Sequence, residues 1–310
     1  MTEKIAVLLP AYNEEITIVK VIEDFRKALP HAEIYVYDNN SKDRTNELAR
    51  ESGAIVRFEP RQGKGNVVRS MFREIDADYY IMVDADDTYP AAEVESLLQP
   101  LRDGLADMTI GDRLSNGTYS KENKRGFHGL GNNLVRILVN KLYKGNYNDI
   151  MTGYRGFNRL FVKNFPVLSS GFEIETELSI HSLDKRYKLV EVPITYKDRP
   201  EGSESKLSTF SDGFKVLRMI FSLFKDYKPL IFFTILTIIF LTLGLISGIP
   251  VISEFAKTGL ISKLPSAVLA TGFIILSALS LVAGFILDTV VRQNRMQYEL
   301  KVYDYYRSEK

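Results

Sequence analysis

Two long stretches near the carboxyl end of this 310-residue chain contain no charged residue, 230–252 and 264–287. Both are rich in Ile, Leu, Phe and Val, and each is close to the roughly 20 residues that a helix needs to cross a hydrocarbon core. They predict two membrane-spanning helices, joined as a hairpin by the short loop 253–263. A pair of buried core helices is the alternative, and it is disfavoured because uncharged runs of this length are rare in soluble folds.

Basic residues flank the predicted hairpin on its outer sides, whereas the loop between the spans offers only Lys257 and Lys263. The flanking residues are Lys215, Arg218, Lys225, Lys228, Arg292, Arg295 and Lys301. Because Lys and Arg collect on the cytoplasmic side of membrane proteins, both termini are expected there. The amino-terminal apolar run 5–9 is too short for a signal-peptide core. We therefore expect a multi-pass protein of the cell (inner or plasma) membrane whose soluble part is cytoplasmic.

Residues 209–228 predict an amphipathic helix just before the first span. Large apolar side chains recur there at helical spacing among basic residues, as is typical of a helix lying on anionic lipid. They are Phe210, Phe214, Leu217, Phe221 and Phe224. A helix packed on the soluble part is the alternative. Residues 289–310 predict a cytoplasmic helix, which is a candidate for self-association into a homo-oligomer. The chain is thus predicted to consist of four segments: 1–208, 209–228, 229–288 and 289–310.

The charge balance and composition exclude several kinds of partner and site. Lys and Arg number 40 against 39 Asp and Glu, a net charge of +1, so binding of nucleic acid through bulk charge is not expected. Cys is absent, which excludes disulfides, thiolate metal sites and Cys nucleophiles. The three His residues, His31, His128 and His181, lie far apart in the sequence. A His-based zinc site is therefore disfavoured, and His128 and His181 are expected to pack or be solvated.

The soluble part alternates short β-branched runs with helix-like segments. The runs predict strands at 5–9, 34–38, 55–58, 79–84 and 108–111, with helices at 14–29, 45–52, 64–75 and 91–98. This alternation indicates βαβ units and an α/β fold with a mainly parallel, Rossmann-like sheet. Ligands of such sheets bind beyond the carboxyl ends of the strands.

A polar loop follows each of the first four predicted strands, at 10–15, 38–43, 61–65 and 84–87. Singly, each loop has a structural interpretation as a turn or a helix cap, but four of them at one sheet edge predict a site. Asp84 and Asp86 can both face a hard divalent cation, Mg²⁺ or Mn²⁺, that bridges diphosphate oxygens. Gly63-Lys64-Gly65 lacks the spacing of a Walker phosphate loop, so phosphoryl transfer from ATP is disfavoured.

Eight motifs occur in a fixed order along about two thirds of the chain. They are Val7-Leu8-Leu9-Pro10-Ala11-Tyr12-Asn13-Glu14, Asp38-Asn39-Asn40-Ser41, Asp84-Ala85-Asp86, Gly111-Asp112-Arg113, Asp149-Ile150-Met151-Thr152-Gly153-Tyr154-Arg155, Gly171-Phe172-Glu173, Glu191-Val192-Pro193-Ile194 and Arg199…Gly202…Ser205-Lys206. In order and spacing they resemble glycosyltransferase family 2 with the GT-A fold. The resemblance is closer to its polyprenyl-phosphate branch, which includes dolichyl-phosphate mannose synthases and bacterial undecaprenyl-phosphate glycosyltransferases.

The resemblance implies a nucleotide-sugar site on these loops. It assigns nucleotide binding to Pro10, Ala11, Tyr12, Glu14, Asp38, Lys64, Asp84 and Ala85. It assigns the metal to Asp84 and Asp86. The sequence departs from the branch at two places: Asp87-Thr88 stands where Leu-Gln is common, and Asn39-Asn40 replaces a common Asp-Gly pair.

Cations between Arg113 and Lys206 are the candidates for binding an acceptor phosphate, because Arg suits planar recognition of phosphate oxygens. The family positions imply a catalytic set of Asp86, Arg113, Arg155, Arg199 and Lys206. The acceptor phosphate is assigned to Arg113, Arg125, Arg199 and Lys206. A phosphate monoester is largely dianionic at neutral pH and needs no general base. Glu173 and Glu175 either contact sugar hydroxyls or occupy the first turn of a helix.

Together these features predict a metal-dependent, inverting transferase that moves one sugar from a nucleotide-diphosphate donor to a polyprenyl phosphate at the cytoplasmic membrane face. UDP-glucose or a UDP-N-acetylhexosamine with undecaprenyl phosphate is favoured by resemblance, and GDP-mannose with dolichyl phosphate is the alternative. A processive polysaccharide synthase is disfavoured because the chain has no Trp and cannot supply the Gln-x-x-Arg-Trp acceptor motif. A non-catalytic scaffold or sugar-nucleotide sensor stays open.

Overall fold

A computed structural model of the chain describes residues 3–115, 117, 126–143, 145–200, 202, 218, 221–222 and 224–308. The chain forms two compact units, Met1–Leu217 and Arg218–Lys310. The predicted α/β architecture with a mainly parallel sheet is confirmed in the first unit, and the second unit contains two long apolar helices.

The described residues of the first unit contain one sheet of seven strands. The strands are β1 (Ile5–Ala11), β2 (Glu33–Asp38), β3 (Ile55–Phe58), β4 (Tyr79–Met82), β5 (Met108–Asp112), β6 (Arg155–Asn158) and β7 (Leu189–Pro193). Their order in the sheet is β3-β2-β1-β4-β6-β5-β7, and neighbouring strands are parallel except β6, which runs antiparallel to both β4 and β5. Strands β1 to β5 were predicted within a few residues, while β6 and β7 were not predicted as strands.

Helices cover both faces of the sheet because alternate residues of each strand point to opposite sides. The helices are α1 (Ile18–Ala28), α2 (Thr45–Glu51), α3 (Lys64–Glu74), α4 (Val94–Arg102), α5 (Gly126–Tyr143), α6 (Arg159–Asn164) and α7 (Ile174–Asp184). In β1, Val7 and Leu9 pack on the layer that contains α1 and α4, whereas Ala6 and Leu8 pack on the layer that contains α3, α6 and α7. This packing buries the central strands and leaves the carboxyl ends of the parallel strands to form a site.

The second unit is a helical hairpin of α8 (Pro229–Thr258) and α9 (Leu264–Ser308), and both helices are long and apolar enough to cross a membrane. Side chains along them are exposed, as at Ile246 and Val268, which disfavours the alternative of core helices. A Cβ at Gly244 would lie 2.9 Å from Ile274, so the small residue permits close packing of the two helices. Helix α8 continues into the segment expected to be a loop, and most of the predicted amphipathic helix 209–228 lies outside the described residues.

Candidate functional site

Two carboxylates lie just beyond the carboxyl end of β4, as the sequence predicted. Asp84 has 30% of its side chain exposed and Asp86 only 7%, so the two acids occupy different environments. The turn after them is fixed by Thr88, whose backbone N–H and hydroxyl donate to Asp86 Oδ1 at 3.2 and 2.6 Å. Asp87 has a φ of 60° in this turn. Burial and the charge of Asp84 raise the pKa of Asp86, and Arg199 opposes that rise.

Lys64 is the cation nearest to Asp84 among the described ion pairs. It is the first residue of α3, and its ammonium group contacts Asp84 Oδ1 and lies 2.5 Å from Glu175 Oε1. Its side chain is only 7% exposed. Burial alone would lower the pKa of Lys64, but the two carboxylates raise it above its ordinary value. Lys64 therefore stays charged and links the end of β4 to the second residue of α7.

Glycines on both sides of Lys64 are required by close backbone approach. A Cβ at Gly63 would lie 2.2 Å from the carbonyl oxygen of Ser170, and a Cβ at Gly65 would lie 2.2 Å from that of Ser169. The Gly65 N–H donates to the Gly171 carbonyl at 3.1 Å. The Gly-Lys-Gly motif thus allows α3 to begin against the segment that precedes α7.

The loop after β2 explains the departure of Asn39-Asn40 from the family pattern. The Asn39 amide donates to the carbonyls of Glu59 and Arg61 at 2.9 Å each, and its oxygen accepts from the Gly63 N–H at 2.7 Å. Asn40 has a φ of 65°, a region where Gly is favoured and Asn is tolerated. Asn39 therefore joins the second and third loops by bonds that an Asp carboxylate could not donate.

The other residues assigned to the nucleotide by resemblance lie at the same sheet edge. Pro10 and Ala11 end β1, Tyr12 follows them, and Asp38 ends β2, where its Oδ1 accepts from the Ser41 N–H at 3.1 Å. The Ala85 carbonyl accepts from the Thr17 hydroxyl at 2.7 Å. Their role in nucleotide binding stays a prediction.

Arg199 lies directly on Asp86. Its Nη2 is 2.5 Å from Asp86 Oδ2, and its Nη1 is 3.8 Å from Glu14 Oε1. The structure thus brings Arg199 and Glu14, from opposite ends of the first unit's sequence, to the predicted carboxylate pair.

Arg113 is engaged by another acid. Its Nε and Nη2 donate to Asp149 at 2.6 and 2.9 Å, which is a bidentate pair, and its Nη1 donates to the Tyr89 hydroxyl at 3.3 Å. The guanidinium also lies 5.7 Å from the centre of the Tyr196 ring. Asp149 is completely buried. The Arg113 side chain therefore binds Asp149, Tyr89 and Tyr196 of its own chain, and these contacts stabilise this part of the protein.

Arg155 is completely buried and does not face the carboxylate pair by any described contact. Its guanidinium donates to the carbonyls of Ile150 and Thr152 at 2.6 and 3.1 Å and to the Ser179 hydroxyl at 3.0 Å. Burial lowers the pKa of Arg155 to about 10. These contacts fit a positioning residue that ties α7 to the segment before β6, and its assignment to the catalytic set stays a prediction.

The other residues considered in the sequence differ in where they lie and in what they contact. Glu175 contacts Lys64, whereas Glu173 accepts from the Gly171 N–H at 3.2 Å in the turn that opens α7. His181 is buried, with its ring 4.9 Å from that of Phe165, as expected for a packed histidine. The predictions for Arg125, His128 and Lys206 fall outside the described side chains.

Sequence reasoning assigned no role in the site to three residues that shape it: Thr88, Tyr89 and Gly153. A Cβ at Gly153 would lie 2.3 Å from Asp84 Oδ2, and the Tyr89 hydroxyl accepts from the Gly153 N–H at 3.1 Å. Gly153 belongs to a motif that carried the resemblance, so a signal for it existed. Tyr89 is recognisable only once the fold brings residues 89 and 153 together.

Comparisons with known proteins agree with this architecture. The pattern of glycosyl transferase family 2 matches residues 6–165. Glycosyltransferase AglJ of Haloferax volcanii is 34% identical over 235 residues, which cover 74% of this chain and 75% of the relative. A dolichyl-phosphate hexose transferase from the same organism is 30% identical over 211 residues, which cover 68% of this chain and 90% of the relative.

Among solved structures, glucosyl-3-phosphoglycerate synthase of Mycobacterium tuberculosis in complex with Mn²⁺, UDP and glucosyl-3-phosphoglycerate has the same fold. The TM-score is 0.60 at 23% identity, over 71% of this chain and 80% of that chain. Because the family pattern covers more than half of the 310 residues and the relatives align over most of their length, the chain belongs to glycosyltransferase family 2.

Proposed function

We propose that this glycosyltransferase moves one sugar from a nucleotide-diphosphate donor to a polyprenyl phosphate at the cytoplasmic face of the membrane. The observation that carries the proposal is the pair of acids at the end of β4, with a cation against each of them. The named activity of the dolichyl-phosphate hexose transferase supports a lipid-phosphate acceptor. The two apolar helices of the second unit support a membrane location.

The carboxylate pair fits a divalent cation that is completed by substrate. Among the described residues, no group of three or more acidic, His or Cys side chains is placed to hold a metal. Mg²⁺ is usually held by one or two carboxylates together with phosphate oxygens of the substrate. Asp84 and Asp86 would supply the carboxylates. When bound, the cation would stabilise the charge of the departing diphosphate. The Mn²⁺ and UDP in the related synthase structure support this assignment.

The acceptor chemistry needs no general base from the protein. A phosphate monoester is largely dianionic at neutral pH, so its oxygen can attack the anomeric carbon directly. The bond from that carbon to the donor's phosphate oxygen breaks, and the nucleoside diphosphate leaves from the opposite side. Such a displacement inverts the configuration, and an α-linked donor gives a β-linked lipid-phosphate sugar. The main task of the side chains is then to hold two anions together, which cations near the carboxylate pair support.

The donor is proposed to be UDP-glucose or a UDP-N-acetylhexosamine and the lipid undecaprenyl phosphate, with GDP-mannose and dolichyl phosphate as the alternative. Purified chain would be incubated with each lipid phosphate, Mg²⁺ or Mn²⁺, and a panel of radiolabelled sugar nucleotides. We expect label in the lipid fraction with one donor, and its loss in Asp86→Asn. Binding of a donor without its consumption would instead support the sugar-nucleotide sensor.

A further inference from the structure

Each member of the carboxylate pair has its own cation, and the two cations are held differently. Lys64 opens α3, is almost completely buried and is shared between Asp84 and Glu175. Arg199 lies in the segment after β7, outside any described helix or strand, with 23% of its side chain exposed. Lys64 is therefore enclosed in the site, whereas the Arg199 side chain is partly open to solvent.

Both oxygens of Asp86 are occupied in this arrangement. Oδ1 accepts from the backbone and hydroxyl of Thr88, and Oδ2 faces the Arg199 guanidinium at 2.5 Å. The Thr88 bonds are made within the same tight turn, so breaking them would require the turn to rearrange. The Arg199 contact is made by a long side chain that is partly exposed. Oδ2 is therefore the oxygen on which a divalent cation would meet the Arg199 guanidinium.

The charge of the cluster favours such an exchange. Glu14, Asp84, Asp86 and Glu175 are joined by ion pairs to Lys64 and Arg199, which leaves a formal charge of two negative. A divalent cation neutralises that charge, but a guanidinium on the same carboxylate oxygen would repel it at short distance.

We propose that Arg199 is the resident counter-ion of Asp86 and competes with the divalent cation for this carboxylate. The Arg199 guanidinium would leave Asp86 when a divalent cation is bound there, and it would then contact the phosphate groups of a substrate. The inference rests on the proposed function, because it takes Asp86 as a metal ligand. It adds to that function a role for Arg199, which would bind first the Asp86 carboxylate and then a substrate phosphate.

Direct Mn²⁺ binding tests the competition without any measurement of activity. Full-length protein in detergent would be titrated with Mn²⁺, and free Mn²⁺ would be followed by electron paramagnetic resonance, with and without UDP. In the absence of UDP, Arg199→Gln should bind Mn²⁺ about tenfold more tightly than the unaltered chain, because a charged hydrogen-bonded partner no longer has to be displaced. Arg199→Lys, which keeps a cation, should show a smaller change.

Arg61→Gln is the matched control, because Arg61 follows β3 at the same sheet edge but pairs with Glu59 at 3.0 Å. It should leave Mn²⁺ affinity unchanged, and circular dichroism should show that each variant is folded. Equal or weaker Mn²⁺ binding by Arg199→Gln, with binding lost in Asp86→Asn, would overturn the competition while leaving the metal role of Asp86 intact. Unaltered Mn²⁺ binding by Asp86→Asn, with UDP present, would instead contradict the proposed metal site.

Discussion

Gly153→Ala should impair transfer by displacing a single carboxylate. The added Cβ would lie 2.3 Å from Asp84 Oδ2, whereas ordinary contact begins at 3.4 Å, so the carboxylate must move by about 1 Å. Lys64 holds the other oxygen of Asp84, which restricts how the group can turn away. A misplacement of about 1 Å at a reacting centre costs on the order of 100-fold in rate. This corresponds to about 2.7 kcal/mol of transition-state stabilisation.

The same substitution should not strain the backbone, since Gly153 does not have a positive φ. The assay is the rate of sugar transfer to lipid phosphate at saturating donor, measured beside thermal unfolding of the same samples. Gly272→Ala is the control, because a Cβ there meets no described atom within 4 Å. Transfer by Gly153→Ala within about threefold of the control would refute the reasoning, as 100-fold is the expected loss.

Three further predictions concern stability, each measured by chemical or thermal unfolding. Gly65→Ala should lower the free energy of unfolding by about 3 kcal/mol, because the new Cβ overlaps backbone rather than a movable side chain. Asn39→Asp should cost about 2 kcal/mol, since the buried Glu59 carbonyl and the partly buried Arg61 carbonyl lose their amide donor. Burial lowers the pKa of His181 to about 3, so the folded state disfavours its protonation. Stability should therefore fall as pH drops below about 6.5, by at most about 1.4 kcal/mol per pH unit, and His181→Phe should remove this part of the dependence.

The sequence was sufficient to predict the parts of the fold that depend on local patterns. Strands such as β2 and β3 are short β-branched runs bounded by polar turns, and their carboxyl ends lie where the alternation placed them. Strand β6 was missed because Arg155-Gly-Phe-Asn has neither a β-branched residue nor clear alternation. It becomes a strand because β4 and β5 pair with it on both sides, which is a tertiary effect.

Contacts within the site were likewise predictable only where they depend on residues that are close in the sequence. Asp84 and Asp86 are neighbours in the sequence, so their shared position could be inferred from spacing. The partner of Lys64 in α7 lies 111 residues further along the chain, and no local pattern indicates that pairing. For Glu175 the sequence left two roles open, contact with sugar hydroxyls or a place in the first turn of a helix. The structure places it in the first turn of α7, where it binds a lysine of the same chain.

Arg113 and Arg199 differ in how tightly their own acids hold them, and this difference bears on which of them is better placed to bind an acceptor phosphate. Both were predicted for that role, and both contact acids in the described structure, but the contacts are not equivalent. Arg113 uses two nitrogens on a completely buried Asp149, and removing one partner of such a pair costs about 3–5 kcal/mol. Arg199 makes its short contact through one nitrogen and remains partly exposed. Moving Arg199 from its carboxylate to a phosphate should therefore cost less free energy than moving Arg113. Arg113 variants should lower the free energy of unfolding, whereas Arg199 variants should weaken ligand binding.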